Sequence, residues 1–455
     1  MKTIALKLIA SSCLLISLNA HAQTDANALN SSQLNSSQLN FSSALDLAFL
    51  HDQDLQAAEF EYQSSVAGRG ISKAALLPQL NLTGSTGSTD GEAIYENPAF
   101  TDGTITVDTT GYNLTLTQTL YNHSIYKTLQ QTDMSIASSL AKVEAARQGL
   151  IVRLADAYFN VLGAQDNLKF ARTEKESIGK QLEQSKKRFE VGLIAITDVK
   201  EAQASYDTSV AQEIEAENIL AAQFEALAVI LGSYTSNIAP MHEDIPLLIP
   251  EPANMLKWTD SAELNNLSLR AAQYNFKAAQ KRVDADYAEH LPYLDLQAQH
   301  QYTDQEGGAF GSEITDTTLS VQLTVPIYSG GGTSAKHRQS VALKEQARSL
   351  KEKAHRQALQ QTRDAYLGVT STIAQVQALK QALISNQAAH EATQAGFEVG
   401  TRTAIDVLTT LRDVFAAERD YARARYNYVI NTLRLKQAAG TLTVEDGKAI
   451  NIFIQ

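Results

Sequence analysis

The sequence predicts an α+β protein that is exported and that enters a membrane through strands. Three observations predict this class: an N-terminal export signal, strands with one apolar and one polar face, and helices of about 65 residues. The pattern occurs twice along the 455 residues, so each chain is predicted to be an internal duplication.

The first 22 residues have the layout of a secretory signal peptide. Lys2 and Lys7 precede a mostly apolar run from Leu8 to Leu18, and Ala20-His21-Ala22 fits a cleavage site. The run is too short to cross about 30 Å of hydrocarbon, so cleavage is predicted rather than anchoring. Residues 23–40 contain a repeated Ser-Ser-Gln-Leu-Asn and are predicted to form a low-complexity spacer.

Composition excludes several classes of protein. The formal net charge of −12 argues against a nucleic-acid binder, which normally carries a basic surface. The single cysteine, Cys13, lies in the predicted signal, so a disulfide framework and a cysteine-built zinc site are excluded. The nine histidines form no close cluster with acidic residues, and no G-x-S-x-G motif occurs. We therefore expect no catalytic residue, no metal and no cofactor.

The duplication is visible as matches at a nearly constant spacing. Phe189-Glu190-Val191-Gly192 recurs 208 residues later as Phe397-Glu398-Val399-Gly400. Leu77-Pro78 and Leu291-Pro292 each precede an alternating segment. Four of the eight prolines fall between the copies, so no helix is expected to continue there. The predicted divisions are repeat 1 at 41–239, a Pro-rich linker at 240–255, repeat 2 at 256–440 and a C-terminal tail at 441–455.

Each repeat is predicted to run helix, strand, strand, helical hairpin. Neither long helix contains proline, and about 65 residues would extend roughly 100 Å. A short turn with one glycine then leads into a returning helix. The predicted strands are about 79–90, 104–121, 293–304 and 315–328, and the predicted hairpins are about 122–232 and 333–439.

The alternating strands are compatible with two environments. A water-soluble sheet resting on a core would have one apolar face, and so would a membrane barrel with its apolar face toward lipid. The export signal favours the barrel. Four strands cannot close one, because single-chain membrane barrels start at about eight strands and open edges are not tolerated in lipid. A barrel would therefore require several chains.

The turn regions resemble the TolC family of outer-membrane efflux and secretion channels. The resemblance is carried by Arg188 to Val199, by Val399 to Leu408 and by Ala424-Arg425-Tyr426-Asn427-Tyr428, and it covers about 41–450. It implies a homotrimer whose chains form one 12-stranded outer-membrane β-barrel. A long α-helical coiled-coil tunnel would continue this barrel into the periplasm of a Gram-negative cell.

The resemblance also implies a function. The implied function is that of a passive exit duct for tripartite multidrug efflux, for type I protein secretion, or for both. The implied partners are a periplasmic adaptor protein, an inner-membrane efflux pump or ABC exporter, and outer-membrane lipid. The alternative is a periplasmic coiled-coil structural or adaptor protein, a class that has long hairpins without four lipid-type strands.

The resemblance places a gate at the periplasmic end of the tunnel. Asp406 corresponds to an acidic residue of the aperture ring, and Thr409 stands where the family has a second acid. Three carboxylates on one axis would select cations and raise each other's pKa. An exposed Asp near a helix N-terminus is the alternative interpretation of Asp406. The implied network that holds the gate closed is Arg402, Asp198 and Thr197, with Arg402 reaching a neighbouring chain. Phe397 belongs to the same set but stands where the family has a tyrosine, whose hydroxyl would hydrogen-bond across the hairpins.

The hairpin tips carry a second set of candidate residues. Gly192 and Gly400 are predicted to form tight turns because glycine tolerates positive φ. The same tips resemble the surface on which the adaptor docks. Its remaining residues are Arg188, Val191, Leu193 and Val399.

Overall fold

The fold was analysed in a computed structural model that describes residues 38–94, 96, 99, 101–308 and 310–454. The predicted signal peptide and most of the predicted spacer lie outside these residues. The helices are α1 Phe41–His51, α2 Gln53–Ala74, α3 His123–Glu190, α4 Ile196–Leu231, α5 Met255–Asn265, α6 Leu267–Ala288, α7 Gly332–Glu398, α8 Ala404–Ala438 and α9 Val444–Ala449, followed by a 3₁₀ helix at Ile450–Phe453. The strands are β1 Gln79–Ala93, β2 Gly103–Tyr121, β3 Tyr293–Gly307 and β4 Ser312–Thr324.

Two helical hairpins give the protein its length. Helix α3 has 68 residues and α7 has 67, so each extends about 100 Å. Asn122 caps the start of α3 by accepting hydrogen bonds from the N–H groups of Ser124 and Ile125. Helices α4 and α8 run back along α3 and α7 respectively. The tips of both hairpins therefore lie far along the helices from the sheet.

The four strands form one antiparallel sheet in the order β1-β2-β3-β4. Its register aligns Leu80, Leu116, Ala298 and Leu319 in one row on the apolar face. Neighbouring rows on the opposite face are polar, as in Asn81, Thr115, Gln299 and Thr318. Among the described residues, β1 and β4 each pair on one side only. The sheet therefore presents two open edges and an apolar face within a single chain.

The main core lies where α1, α3, α8, the linker and the tail meet. Tyr158 of α3 is fully buried, and its single hydroxyl proton is shared between the carbonyl oxygens of Leu39 and Ala239, which lie 3.0 and 2.9 Å from the hydroxyl oxygen. Phe41 and Phe159 pack around it. The core thus joins the segment just before repeat 1 to the end of that repeat, next to the linker.

The C-terminal tail is an integral part of this core. Ile450 is 3% exposed, and Ile454 pairs with Met241 of the linker through an antiparallel bridge. The backbone N–H of His242 donates to the carbonyl of Phe453 at 2.8 Å. The tail and the linker therefore stabilise each other.

The structure differs from the sequence-based expectation at several boundaries. The first helix of each repeat is split, at Asp52 in one copy and at Asn266 in the other, and each of these residues caps the helix that follows. Strand β4 ends at Thr324, four residues before the predicted end at 328, and Pro326 beyond it has no N–H for a ladder bond.

Within the described part of the chain, no helix is both long and apolar enough to span a membrane.

Candidate aperture at the hairpin tips

Two turns place the candidate residues at the tips of the hairpins. Gly192 has φ +76° and Gly400 has φ +82°, and nothing lies within 4 Å of a Cβ built on either residue. Their backbone conformation, and not lack of space, therefore requires glycine. The carbonyls of Phe189 and Phe397 accept hydrogen bonds from these two glycines at 2.9 and 3.2 Å.

The tips expose aliphatic side chains. Val191 is 70% exposed, Leu193 is 72% exposed and Val399 is 77% exposed. Large apolar side chains clustered at an exposed turn are typical of surfaces that meet a partner. Each of the two tips contributes to this apolar surface.

Arg188 and Phe397 join the two hairpins close to the tips. The guanidinium carbon of Arg188 lies 4.3 Å from the centre of the Phe397 ring. Phe397 is only 4% exposed and packs with Ala404 and Val407 at the start of α8. A cation over an aromatic face contributes about 0.5–2 kcal/mol. Sequence reasoning put Arg188 in the docking set and Phe397 in the gate set, and it did not predict their contact.

Asp406 is part of the N-terminal cap of α8. The backbone N–H of Thr403 donates to Asp406 Oδ2 at 2.9 Å, and the N–H of Asp406 donates to Thr403 Oγ1 at 3.2 Å. This reciprocal pair is a capping box. Hydrogen bonds from Thr403 lower the pKa of the Asp406 carboxyl, and nearby Arg402 adds a smaller effect in the same direction. The helix-terminus interpretation therefore describes the role of Asp406 within one chain.

The remaining gate candidates lie at the tips of different hairpins, with Thr197 and Asp198 at the start of α4 and Arg402 in the turn before α8. Arg402 is exposed, and its side chain packs close to Gly396, where an added Cβ would lie 2.8 Å from Arg402 Cγ. Thr197 and Asp198 lie in the first turn of α4. Among the described residues, no ion pair links Arg402 with Asp198, so the predicted pairing between chains stays a prediction.

Thr409 lies one turn beyond Asp406 and is exposed. Its hydroxyl donates to the carbonyl of Ile405 at 2.8 Å. The adjacent Thr410 contacts the ring nitrogen Nδ1 of His390 at 3.1 Å, which links α7 to α8. Burial lowers the pKa of His390. Sequence reasoning did not predict this contact, whereas the Thr403-x-x-Asp406 pattern could have revealed the cap.

The described residues contain no group of three or more His, Cys, Asp or Glu side chains placed to hold a metal ion. The tips instead combine turns, apolar side chains and a few charges. Exposed apolar side chains of this kind are suited to contact another protein.

Comparison with known proteins identifies the family. The family model described as outer membrane efflux protein matches residues 44–233 and 258–441. The chain is 37% identical to the outer membrane protein TolC of Vibrio cholerae over 385 residues, covering 84% of this chain and 86% of that protein. It is 28% identical to the alkaline protease secretion protein AprF of Pseudomonas aeruginosa over 410 residues, covering 88% of this chain and 84% of that protein.

A solved structure shares the fold. The Campylobacter jejuni CmeC outer membrane channel superposes with a TM-score of 0.75 at 18% identity, covering 90% of this chain and 88% of that chain. The fold and the family match together define a class of outer-membrane channels rather than enzymes. The chain belongs to the outer membrane efflux protein family, within the TolC group, and the predicted resemblance is confirmed.

Proposed function

We propose that three copies of the chain form one outer-membrane duct through which drugs or secreted proteins leave the cell. The observation that carries this proposal is the four-stranded sheet with its apolar face and two open edges. Open edges are costly in lipid, and pairing β4 of one chain with β1 of the next would remove them. Three chains then supply 12 strands, and their long hairpins continue the barrel as a periplasmic tunnel.

The proposed duct is gated at its periplasmic end. Three copies of Asp406 would surround the axis, with Thr409 one turn further along α8. Arg402 would pair with Asp198 and Thr197 of the neighbouring chain and hold the tips inward, while Phe397 packs under the start of α8. Opening then requires the tips to separate.

The proposed partners meet the exposed tips. A periplasmic adaptor would contact the apolar side chains of Val191, Leu193 and Val399 around Gly192 and Gly400. Through this adaptor, an inner-membrane efflux pump or an ABC exporter would deliver its substrate. Similarity to a protein named for alkaline protease secretion supports protein export as one of the two routes.

Fractionation of the cell envelope tests the location and the assembly. We expect the protein in the outer-membrane fraction, migrating as a trimer when unheated and as a monomer after boiling. A monomeric protein released with the periplasmic fraction would instead support the coiled-coil structural or adaptor alternative.

A further inference from the structure

We propose that Glu174 is a positioning residue for the aperture, an inference that rests on the proposed function. Glu174 lies on α3 and is 3% exposed. Its Oε2 atom lies 3.4 Å from Arg419 Nη1, and its Oε1 atom lies 3.9 Å from Arg412 Nε. Both arginines belong to α8, so one buried carboxylate connects the two hairpins.

The spacing of the two arginines fixes the position of α8 along α3. Arg412 and Arg419 are seven residues apart, which is about two helical turns on one face and about 10 Å along the axis. The carboxylate of Glu174 lies between them and offers one oxygen to each guanidinium. A slide of α8 by one turn would detach at least one guanidinium and leave a buried charge less well paired.

Other ion pairs join α3 to α4 at the same level. Lys175 and Arg172 both contact Glu213, and Arg172 also contacts Glu217 at 2.7 Å. These pairs lie within one hairpin, whereas the contact of Glu174 with Arg412 and Arg419 joins two hairpins, and we call these last three residues the ionic collar. The collar lies 16 residues before the end of α3, which is about 24 Å from the tip.

Contacts between the hairpins are of a different kind on the tip side of the collar. Leu408 packs with Ile178 and Leu182, and Arg188 lies over Phe397. Along this described stretch, no ion pair joins one hairpin to the other. Two buried polar atoms of α3, Gln181 Nε2 and Ser185 Oγ, have no hydrogen-bond partner there.

This distribution assigns a role to the collar. Apolar contacts are non-directional and fix no spacing, whereas a buried carboxylate held by two guanidiniums fixes the position of one helix along the other. The tip segments can therefore separate while the collar holds the helices together. Through α8, Glu174 fixes the position of Asp406 and Arg402 along the axis of α3. It also marks where the tip segments that can separate begin.

Single-channel recording of the purified protein in planar bilayers tests this role. Glu174→Gln keeps the size of the side chain and removes its charge. We expect mean conductance to rise severalfold, because α8 is no longer held at a fixed position along α3 and the hairpin tips can spread apart. Glu217→Gln is the matched control, since it makes the same change at the same level within one hairpin, and its conductance should equal that of the wild type.

Two further variants separate positioning from folding. Arg419→Gln should also raise conductance, and combining it with Glu174→Gln should add little, because both changes break the same contact. Thermal unfolding is measured in parallel. A lowered unfolding temperature with wild-type conductance in both Glu174→Gln and Arg419→Gln would mean a purely structural contact and would overturn the proposal.

Arg402→Ala serves as the reference variant, because removing the proposed contact between chains is expected to open the tips. If Arg402→Ala raises conductance and Glu174→Gln does not, the positioning role is wrong while the proposed duct stands. If the wild-type protein forms no channels at all, the proposed function fails and this inference fails with it.

Discussion

At the scale of single residues, the charged side chains at the tips are of two kinds. Some form contacts within one chain, and others have their proposed partners in a neighbouring chain. Asp406 belongs to the first kind, because its carboxylate completes the cap of α8. Its lowered pKa means that the cap stabilises the protein fully above the ordinary pKa of an aspartate, and that this stability is lost progressively as the pH falls from there through the lowered value. Arg402 belongs to the second kind, since it is exposed and forms no described ion pair within the chain.

Arg402→Ala is expected to raise single-channel conductance, because the proposed contact with Asp198 and Thr197 of the neighbour holds the tips inward. Planar-bilayer recording measures the change. Arg423→Ala is the control, since Arg423 is likewise an exposed arginine but lies on α8 far from the tip. Equal conductance in Arg402→Ala and the wild type would contradict the proposed network.

Asp406→Asn is expected to weaken selectivity for cations over anions. Asparagine can still accept the hydrogen bond from Thr403, so the cap is retained while three negative charges leave the proposed ring. The reversal potential in a salt gradient reports selectivity. Glu201→Gln, which removes an exposed charge on α4 outside the proposed ring, should leave it unchanged. Identical reversal potentials for Asp406→Asn and the wild type would exclude a role for Asp406 in the aperture.

At the scale of elements, the sequence predicted the kinds of structure better than their ends. Strict alternation defined the strands, and long stretches without proline defined α3 and α7. The splits at Asp52 and Asn266 were missed because each needs only a capping side chain and no proline or glycine. Asp52 also receives two hydrogen bonds of 2.8 Å from Arg153, a contact between distant parts of the chain that no local pattern reveals.

The C-terminal tail is a second feature that local sequence patterns could not predict. Its residues have no distinctive pattern, yet they complete the main core because the linker lies beside them. The contact of Arg188 with Phe397 is equally a product of packing between hairpins. The tip residues themselves were located by resemblance, whereas the cap formed by Thr403 and Asp406 was readable from local spacing alone.

Ile450→Ala is expected to destabilise the protein by about 2–5 kcal/mol, because it empties space in the main core. Thermal unfolding monitored by circular dichroism measures the loss. Ile452→Ala is the matched control, since Ile452 is 75% exposed only two residues away and should change the unfolding temperature little. Equal effects of the two variants would mean that the tail does not pack as described.

At the scale of the whole molecule, the two faces of the sheet predict the orientation of each strand in the membrane. Leu319 lies on the apolar face and is 72% exposed in the single chain, while adjacent Thr318 lies on the opposite face. If the apolar face meets lipid, Leu319→Lys should cost about 2–4 kcal/mol near the centre of the bilayer.

The comparison of Leu319→Lys with Thr318→Lys measures this orientation. Both variants add one positive charge to neighbouring positions of β4. We expect much less heat-modifiable trimer in the outer membrane for Leu319→Lys and a normal amount for Thr318→Lys. The reverse order would mean that the sheet faces the membrane with its polar side, and the proposed barrel would be wrong.

Drug and dye accumulation in cells tests the proposed duct most directly. A strain lacking this gene is compared with the same strain carrying the wild-type gene on a plasmid, and the proteins in the culture medium are compared at the same time. We expect the plasmid to lower intracellular accumulation, to restore secreted proteins, or to do both. If neither accumulation nor the secreted proteins change although the protein is present in the outer membrane, the proposed exit duct is contradicted.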